Sequence, residues 1–309
     1  MHKRFLILLI CLPLLEVQLA SADDFGFTGK HQRFFRLYDP SLSDIAFSYA
    51  FEPAIEADAG PGEADLHRFG ARFELPYPTS EDSYFRYGAE YALRSYDLEP
   101  VPGARTNDSS LNLHTVQLSF GAGYFIADNL LITGVARPAI FSDFEDDVDE
   151  DDFQLHGEGL LVYQINPGTQ ILGGGRYSEE FDDTPLLPFG GIRLLSESGK
   201  LHISLTVPLE GRIGYNLSPE TELFAGVWAS GDKFSVAMGE EPVNFNVQIQ
   251  ERRLGGGFTH WLSEHFAVTV EAGATLESTL EFKVDNPGQF QDEDVSPAGY
   301  VSVELGASL

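Results

Sequence analysis

The sequence predicts an all-β protein, an antiparallel transmembrane β-barrel of about 12–14 strands with short periplasmic turns and longer extracellular loops. Three observations carry the prediction. The first is strict alternation from Phe266 to Val284. Phe266, Val268, Val270, Ala272, Ala274, Leu276, Ser278, Leu280, Phe282 and Val284 occupy one set of positions, and Ala267, Thr269, Glu271, Gly273, Thr275, Glu277, Thr279, Glu281 and Lys283 the other. Side chains alternate faces along a strand, so the segment has one apolar wall and one charged wall. It is longer than an ordinary strand of a soluble domain and suits lipid on one side and water on the other. The second observation is that connections alternate between tight and long. The third is an export leader on a chain with a single cysteine.

Lys3 and Arg4 precede the apolar run Phe5–Leu15, and Ala20-Ser21-Ala22 offers a small-x-small cleavage site before Asp23. Residues 1–22 therefore read as a signal peptide cleaved after Ala22. The apolar run rises only about 16 Å as a helix, roughly half a bilayer core. Cys11, the one cysteine, lies inside that run, which excludes disulfides and thiolate metal sites from the mature chain. Residues 23–43 show weak periodicity, and Lys30, His31, Arg33 and Arg36 make them basic. They read as a periplasmic arm or a small plug, with a loose terminus as the plainer reading. Residues 44–309 form the barrel.

Alternating runs follow from Asp44. Phe69, Ala71, Phe73 and Leu75 face Arg68, Gly70, Arg72 and Glu74 across the next strand. Phe85, Tyr87, Ala89, Tyr91 and Leu93 oppose Arg86, Gly88, Glu90 and Arg94 in the one after. Further runs begin near Val116, Leu130, Phe153, Gln170, Phe189, Leu201, Gly211, Thr221, Asn244, Phe266 and Ala298. The tight connections are Ala127-Asp128-Asn129, Asn166-Pro167-Gly168, Ser196–Gly199, Ser218-Pro219-Glu220 and Ser263-Glu264-His265. Longer polar stretches span Glu99–Ser110, Ser142–Asp152, Glu179–Pro185, Gly239–Pro242 and Asp285–Pro297. A secreted β-sandwich or β-helix does not account for that alternation of loop lengths. Val301, Val303, Leu305 and Leu309 make a terminal strand, with leucine where such barrels usually end in an aromatic. Its 31 glycines and 12% aromatic residues fit crowded strands and interfacial girdles.

The chain resembles a bacterial outer-membrane β-barrel family classed as a domain of unknown function. The resemblance rests on Arg212–Phe234 (RIGYNLSPETELFAGVWASGDKF), on Glu251–Glu277 (ERRLGGGFTHWLSEHFAVTVEAGATLE) and on PFGGIRLL at Pro188–Leu195. It implies a fold and an outer-membrane location, and it brings no activity or functional residues.

With 48 acidic against 19 basic residues the formal charge is −29, and −30 once Lys3, Arg4 and Glu16 leave with the leader. Such a chain repels nucleic acid. The expected partners are outer-membrane lipid, lipopolysaccharide and the barrel assembly machinery.

If the aromatic faces meet lipid, Arg68, Arg72, Glu74, Arg86, Glu90 and Arg94 line the lumen from one end of the chain. Glu271, Glu277, Glu281 and Glu304 line it from the other, because closure sets the last strand beside the first. Opposed guanidinium and carboxylate groups would select small charged solutes, or would pair up and fill a narrow barrel. Three readings follow: a passive pore for small solutes, a structural or surface-interaction barrel with a filled lumen, and, third, an outer-membrane hydrolase that would depend on His202 and Ser204. Asp143, Glu145, Asp146, Asp147, Asp149, Glu150, Asp151 and Asp152 form a loop rich in hard oxygen ligands. It reads as a solvated acidic loop, with loose divalent-cation binding as the sharper alternative. His202 and Ser204 share a strand face as a base and a hydroxyl would, but the face points inward and Leu205 follows. Catalysis, a resident metal and a cofactor are not expected. The triplets Gly173–Gly175 and Gly255–Gly257 lie in strands without a following helix, so they are not phosphate loops.

Overall fold

The computed structural model describes residues 44–56, 63–98, 110–145, 148, 150–178, 185–238, 243–284 and 290–308. The leader and the 23–43 segment lie outside the described residues. Strands run in chain order as β1 (Asp44–Glu56), β2 (Glu63–Pro78), β3 (Ser83–Leu98), β4 (Ser110–Ala127), β5 (Leu130–Ser142), β6 (Phe153–Asn166), β7 (Thr169–Tyr177) and β8 (Leu186–Leu195). They continue as β9 (Leu201–Val207), β10 (Glu210–Ser218), β11 (Thr221–Met238), β12 (Val243–Trp261), β13 (Phe266–Val284), β14 (Phe290–Val295) and β15 (Ala298–Ser308). Among the described residues, a 3-10 turn, Glu150–Asp152, precedes β6.

From β1 to β14 each strand pairs antiparallel with the next, β15 pairs with β13 rather than β14, and β15 also pairs with β1 to close a 14-stranded barrel. The closing register runs from Asp44↔Ser308 to Phe51↔Val301. Closure matters because lipid supplies no hydrogen-bond partner for a free edge. The fourteenth wall position is split. β15 pairs with the lower part of β13 from Phe266 to Thr275, and β14 pairs with its upper part from Ser278 to Lys283. The sequence reading placed Phe290–Val295 in a loop. FQDEDV lacks an apolar alternation, and it becomes a strand because β13 extends past β15 and leaves an edge to pair with.

The observed pleat agrees with the alternation. Phe47, Phe69, Phe85, Phe120, Leu161, Ile213 and Leu305 are exposed on the outer face. Tight turns gather at the end that holds Asp44 and Ser308, and the longer connections at the other, together with the two-residue turn between β9 and β10. Strand lengths are uneven. β12 and β13 have 19 residues each, about twice the 9–11 that cross a bilayer. β9 has 7.

Inside the barrel, two apolar clusters pack. Tyr84, Phe125, Leu131, Leu160, Val162, Leu172 and Phe189 form the one that starts at the short-turn end. Leu66, Leu113, Phe141, Phe234, Val236, Val247 and Ile249 belong to the one towards the long-loop end. The second cluster forms because β11 crosses the mouth and meets β5, with Ser235 paired to Ser142. Gln154 Nε2 donates to the Lys233 carbonyl at 2.6 Å beside it. Nothing in the strand alternation announces that bridge.

Gly257 sits where backbones approach closely, since a Cβ there would strike the Val270 carbonyl. Gly159, by contrast, has open space on its outer face. We expect Gly257→Val to reduce sharply the fraction that refolds into the heat-modifiable barrel form on an unboiled gel. Gly159→Ala should refold like the parent, and equal yields for the two variants would contradict the packing assigned to Gly257.

Candidate functional site: the charged lumen

Inward positions on β2 and β3 set Arg68 directly opposite Arg94, Arg72 opposite Glu90, and Glu74 opposite Gly88. Like charges facing each other across a strand pair repel. Here carboxylates from the far wall and from β1 answer them. Arg68 Nη2 donates to Glu52 Oε2 at 3.0 Å and to Glu251 Oε1 at 2.6 Å. Arg94 Nη1 reaches the same Glu251 oxygen at 3.4 Å, and its Nη2 binds Asp232. Arg253 also pairs with Glu251. Glu251 is 4% exposed and serves three guanidiniums. Strands β1, β2, β3, β11 and β12 thus meet in one ionic knot across the lumen.

Of the residues expected to line the lumen, Arg68 and Arg94 lie in this knot. Arg86 Nη1 pairs with Glu74 at 2.9 Å. Arg72 pairs with Glu304 at 3.5 Å in more open surroundings, both side chains being more than a third exposed. Glu90 faces the lumen opposite Arg72 and is exposed there. Glu271 accepts a hydrogen bond from Tyr300. Glu277 and Glu281 stand opposite Arg252 and Gln248 on β13, and their side chains lie outside the described residues. Glu52, Asp232, Glu251 and Arg253 escaped the sequence reading. Pairing Arg252 with Glu277 and Arg253 with Thr275 leaves Leu276 as the extra residue of a bulge in β13. On β12, Glu251 and Arg253 share a face with the apolar Val247 and Ile249, so no polar face announces them.

At the short-turn end the lumen opens into a cavity of about 640 Å³. Arg72, Arg193, Arg212, His202, Glu222 and Glu304 are among its lining groups, so both signs of charge face the water. Glu222 takes a hydrogen bond from Arg212 Nη2 at 2.7 Å and lies 3.1 Å from His202 Nε2. The imidazole is therefore engaged by a carboxylate. With Ser204 it faces the lumen, away from any lipid ester in the membrane.

The described residues of the acidic loop do not converge on a point. Asp143 and Asp152 are buried, and Asp143 Oδ1 accepts the Glu145 amide at 3.1 Å in a local turn. Asp146, Asp147 and Asp149 lie outside the described residues. Among the described residues no group of three or more His, Cys, Asp or Glu side chains is placed to hold a metal ion.

A closed barrel with an apolar belt, a charged interior and uneven ends defines the class: a transmembrane β-barrel of the outer-membrane type. One solved structure agrees on the fold. An outer-membrane channel from Pseudomonas putida F1 superposes with a TM-score of 0.50 at 9% identity, covering 87% of this chain and 96% of that one. The toluene transporters TodX of Pseudomonas putida and TbuX of Ralstonia pickettii match at TM-scores of 0.41 and 0.42, each at 9% identity. These cover 91% of this chain in both cases, and 92% and 93% of theirs. No protein-family model and no curated protein matches the chain.

Removing Glu251 would leave Arg68, Arg94 and Arg253 facing one another without their shared carboxylate. Breaking a buried ion pair by deleting one partner costs about 3–5 kcal/mol. We expect Glu251→Gln to lower the urea midpoint of the barrel in lipid vesicles by a corresponding amount, and Glu304→Gln, at an open pair, to leave it nearly unchanged. A Glu251→Gln midpoint equal to the parent's would dissolve the knot as a stabilising element.

Proposed function

We propose that the protein is a passive channel for small solutes in the outer membrane of a Gram-negative bacterium, exported with its leader cleaved after Ala22. The observation that carries this reading is the cavity of about 640 Å³ inside the barrel, lined by both signs of charge. A purely structural barrel of this strand number has no need to hold ionisable groups around interior water. The Pseudomonas putida channel with the same fold points the same way. Lipopolysaccharide and lipid would surround the apolar belt, the assembly machinery would insert it, and the acidic stretch 143–152 at the long-loop end would meet divalent cations there.

The lumen is not a wide water column. The Glu251 knot and the apolar cluster around Phe234 fill the half towards the long loops. That filling favours a second reading, a plugged barrel that acts through its loops.

Conductance separates the two. A channel refolded into a planar bilayer under a salt gradient should give small, steady single-channel steps. Arg86→Gln removes a positive charge beside Glu74, so its reversal potential should shift towards cation preference. Silence from the parent, with circular dichroism showing a folded barrel, would reject the aqueous channel and leave the plugged barrel.

A further inference from the structure

We propose that the wall has a side opening above the β9–β10 hairpin, through which small amphipathic molecules pass between the lipid and the lumen. The proposal rests on the channel reading above and adds a route and a class of solute to it.

The strand ladder stops short at this point. β8 pairs with β9 only from Gly190↔Val207, so Leu186–Phe189 have no β9 partner. β10 pairs with β11 only as far as Glu210↔Trp228, and the Ala229 amide then donates to the Leu209 carbonyl at 2.9 Å. Above that bond no β10 residue stands beside β11. Among the described residues no strand lies between these two edges.

Length puts the gap inside the membrane. β9 has 7 residues, and at the usual rise and tilt they cover about 16 Å of a hydrocarbon belt about 25 Å tall. The hairpin therefore ends within the half of the bilayer nearer the long loops. Its tip has the composition of that place: Val207-Pro208-Leu209, with Val207 exposed. A hairpin tip in water ordinarily carries polar turn residues. The free edge of β8 is likewise apolar, Leu186-Leu187-Pro188-Phe189, and Pro188 brings no amide that would need a partner.

Open edges are costly in lipid. β11 meets that constraint by turning inward, where Ser235 pairs with Ser142 and the Lys233 carbonyl accepts from Gln154. The same turn blocks the axial exit, since it packs Phe234, Val236 and their neighbours across the mouth. It also frames the gap from above.

Behind the gap lies a cavity of about 260 Å³. Leu160, Leu172, Phe189 and Leu209 give it an apolar side, and Glu158, Arg176, Arg193 and Glu210 a charged one. It shares Arg193, Glu210 and Trp228 with the lining of the larger cavity, so the two adjoin. Its volume falls just under the usual range for drug-sized ligands. The chemistry suits a small molecule with an apolar body and one polar end.

Trp228 makes the test direct, because the chain has 2 tryptophans and the other, Trp261, lines the lumen behind fully paired strands. The Trp261→Phe protein would be refolded into phosphatidylcholine vesicles with brominated acyl chains, and Trp228→Phe would serve as the reference. Trp228 emission should be quenched several-fold more strongly than Trp261 emission, and added decanoate or decanol should relieve that quenching. Equal or absent quenching at Trp228 overturns the side opening. Quenching that neither amphiphile relieves overturns the solute class. If Trp261→Phe does not refold, the difference between the parent and Trp228→Phe gives the same reading. Single-channel recording on the same preparation separates this proposal from the one it rests on. Conductance without lipid quenching keeps the channel and removes the opening; lipid quenching without conductance keeps the opening and removes the aqueous path.

Discussion

Lipid offers a peptide group nothing to bond with, and the architecture follows from that constraint. Every amide and carbonyl in the belt needs a neighbouring strand, so the sheet has to close, and β15 returns to β1. Closure divides the residues of every strand into two populations. One set meets hydrocarbon and is apolar or aromatic; the other meets whatever the barrel encloses. Because the pleat has a period of two, a register slip of one residue would expose Arg68, Arg86 and Arg94 to lipid. The cost of that exchange holds the register throughout the sheet.

Charges confined to a narrow interior then need an answer of their own. Arg68 and Arg94 face each other across β2 and β3, a poor arrangement in isolation. Glu251 arrives from β12, over a hundred and fifty residues along the chain from either, and binds both. Such a pair stabilises less than its geometry suggests, because desolvation offsets much of the attraction. What it does impose is position. An unpaired guanidinium in that place is costly enough to hold β11 and β12 against the β2–β3 wall.

Much of this was legible in the sequence, and the reason is the period. On β2, β3 and β15 the alternation is clean, and it sets Arg68, Arg86, Arg94 and Glu304 on the face opposite the exposed Phe69, Phe85 and Leu305. The alternation of tight turns with longer stretches gave the ends of the barrel. The missing parts share one physical cause: they depend on contacts without local pattern. Glu251 and Arg253 share a face of β12 with the apolar Val247 and Ile249, so that face does not read as polar. Asp232 belongs to the upper part of β11, whose inward path is set by β5 and β6 rather than by its own residues. β14 is a strand only because β13 outruns its neighbour.

The ionic knot and the short hairpin turn out to need each other. β11 loses its β10 partner at Trp228, and Asp232, four residues on, binds Arg94 across the lumen. Without the short hairpin, β10 would accompany β11 upward and keep it in the outer wall, out of reach of Arg94. Without Arg94 and Gln154, the upper half of β11 would hang beside a gap in the wall with its edge in lipid. The inward crossing satisfies that edge, fills the axial mouth with Phe234 and Val236, and leaves the space above Leu209 as the uncovered part of the described wall. The same deviation from a regular cylinder thus narrows one route through the molecule and creates another.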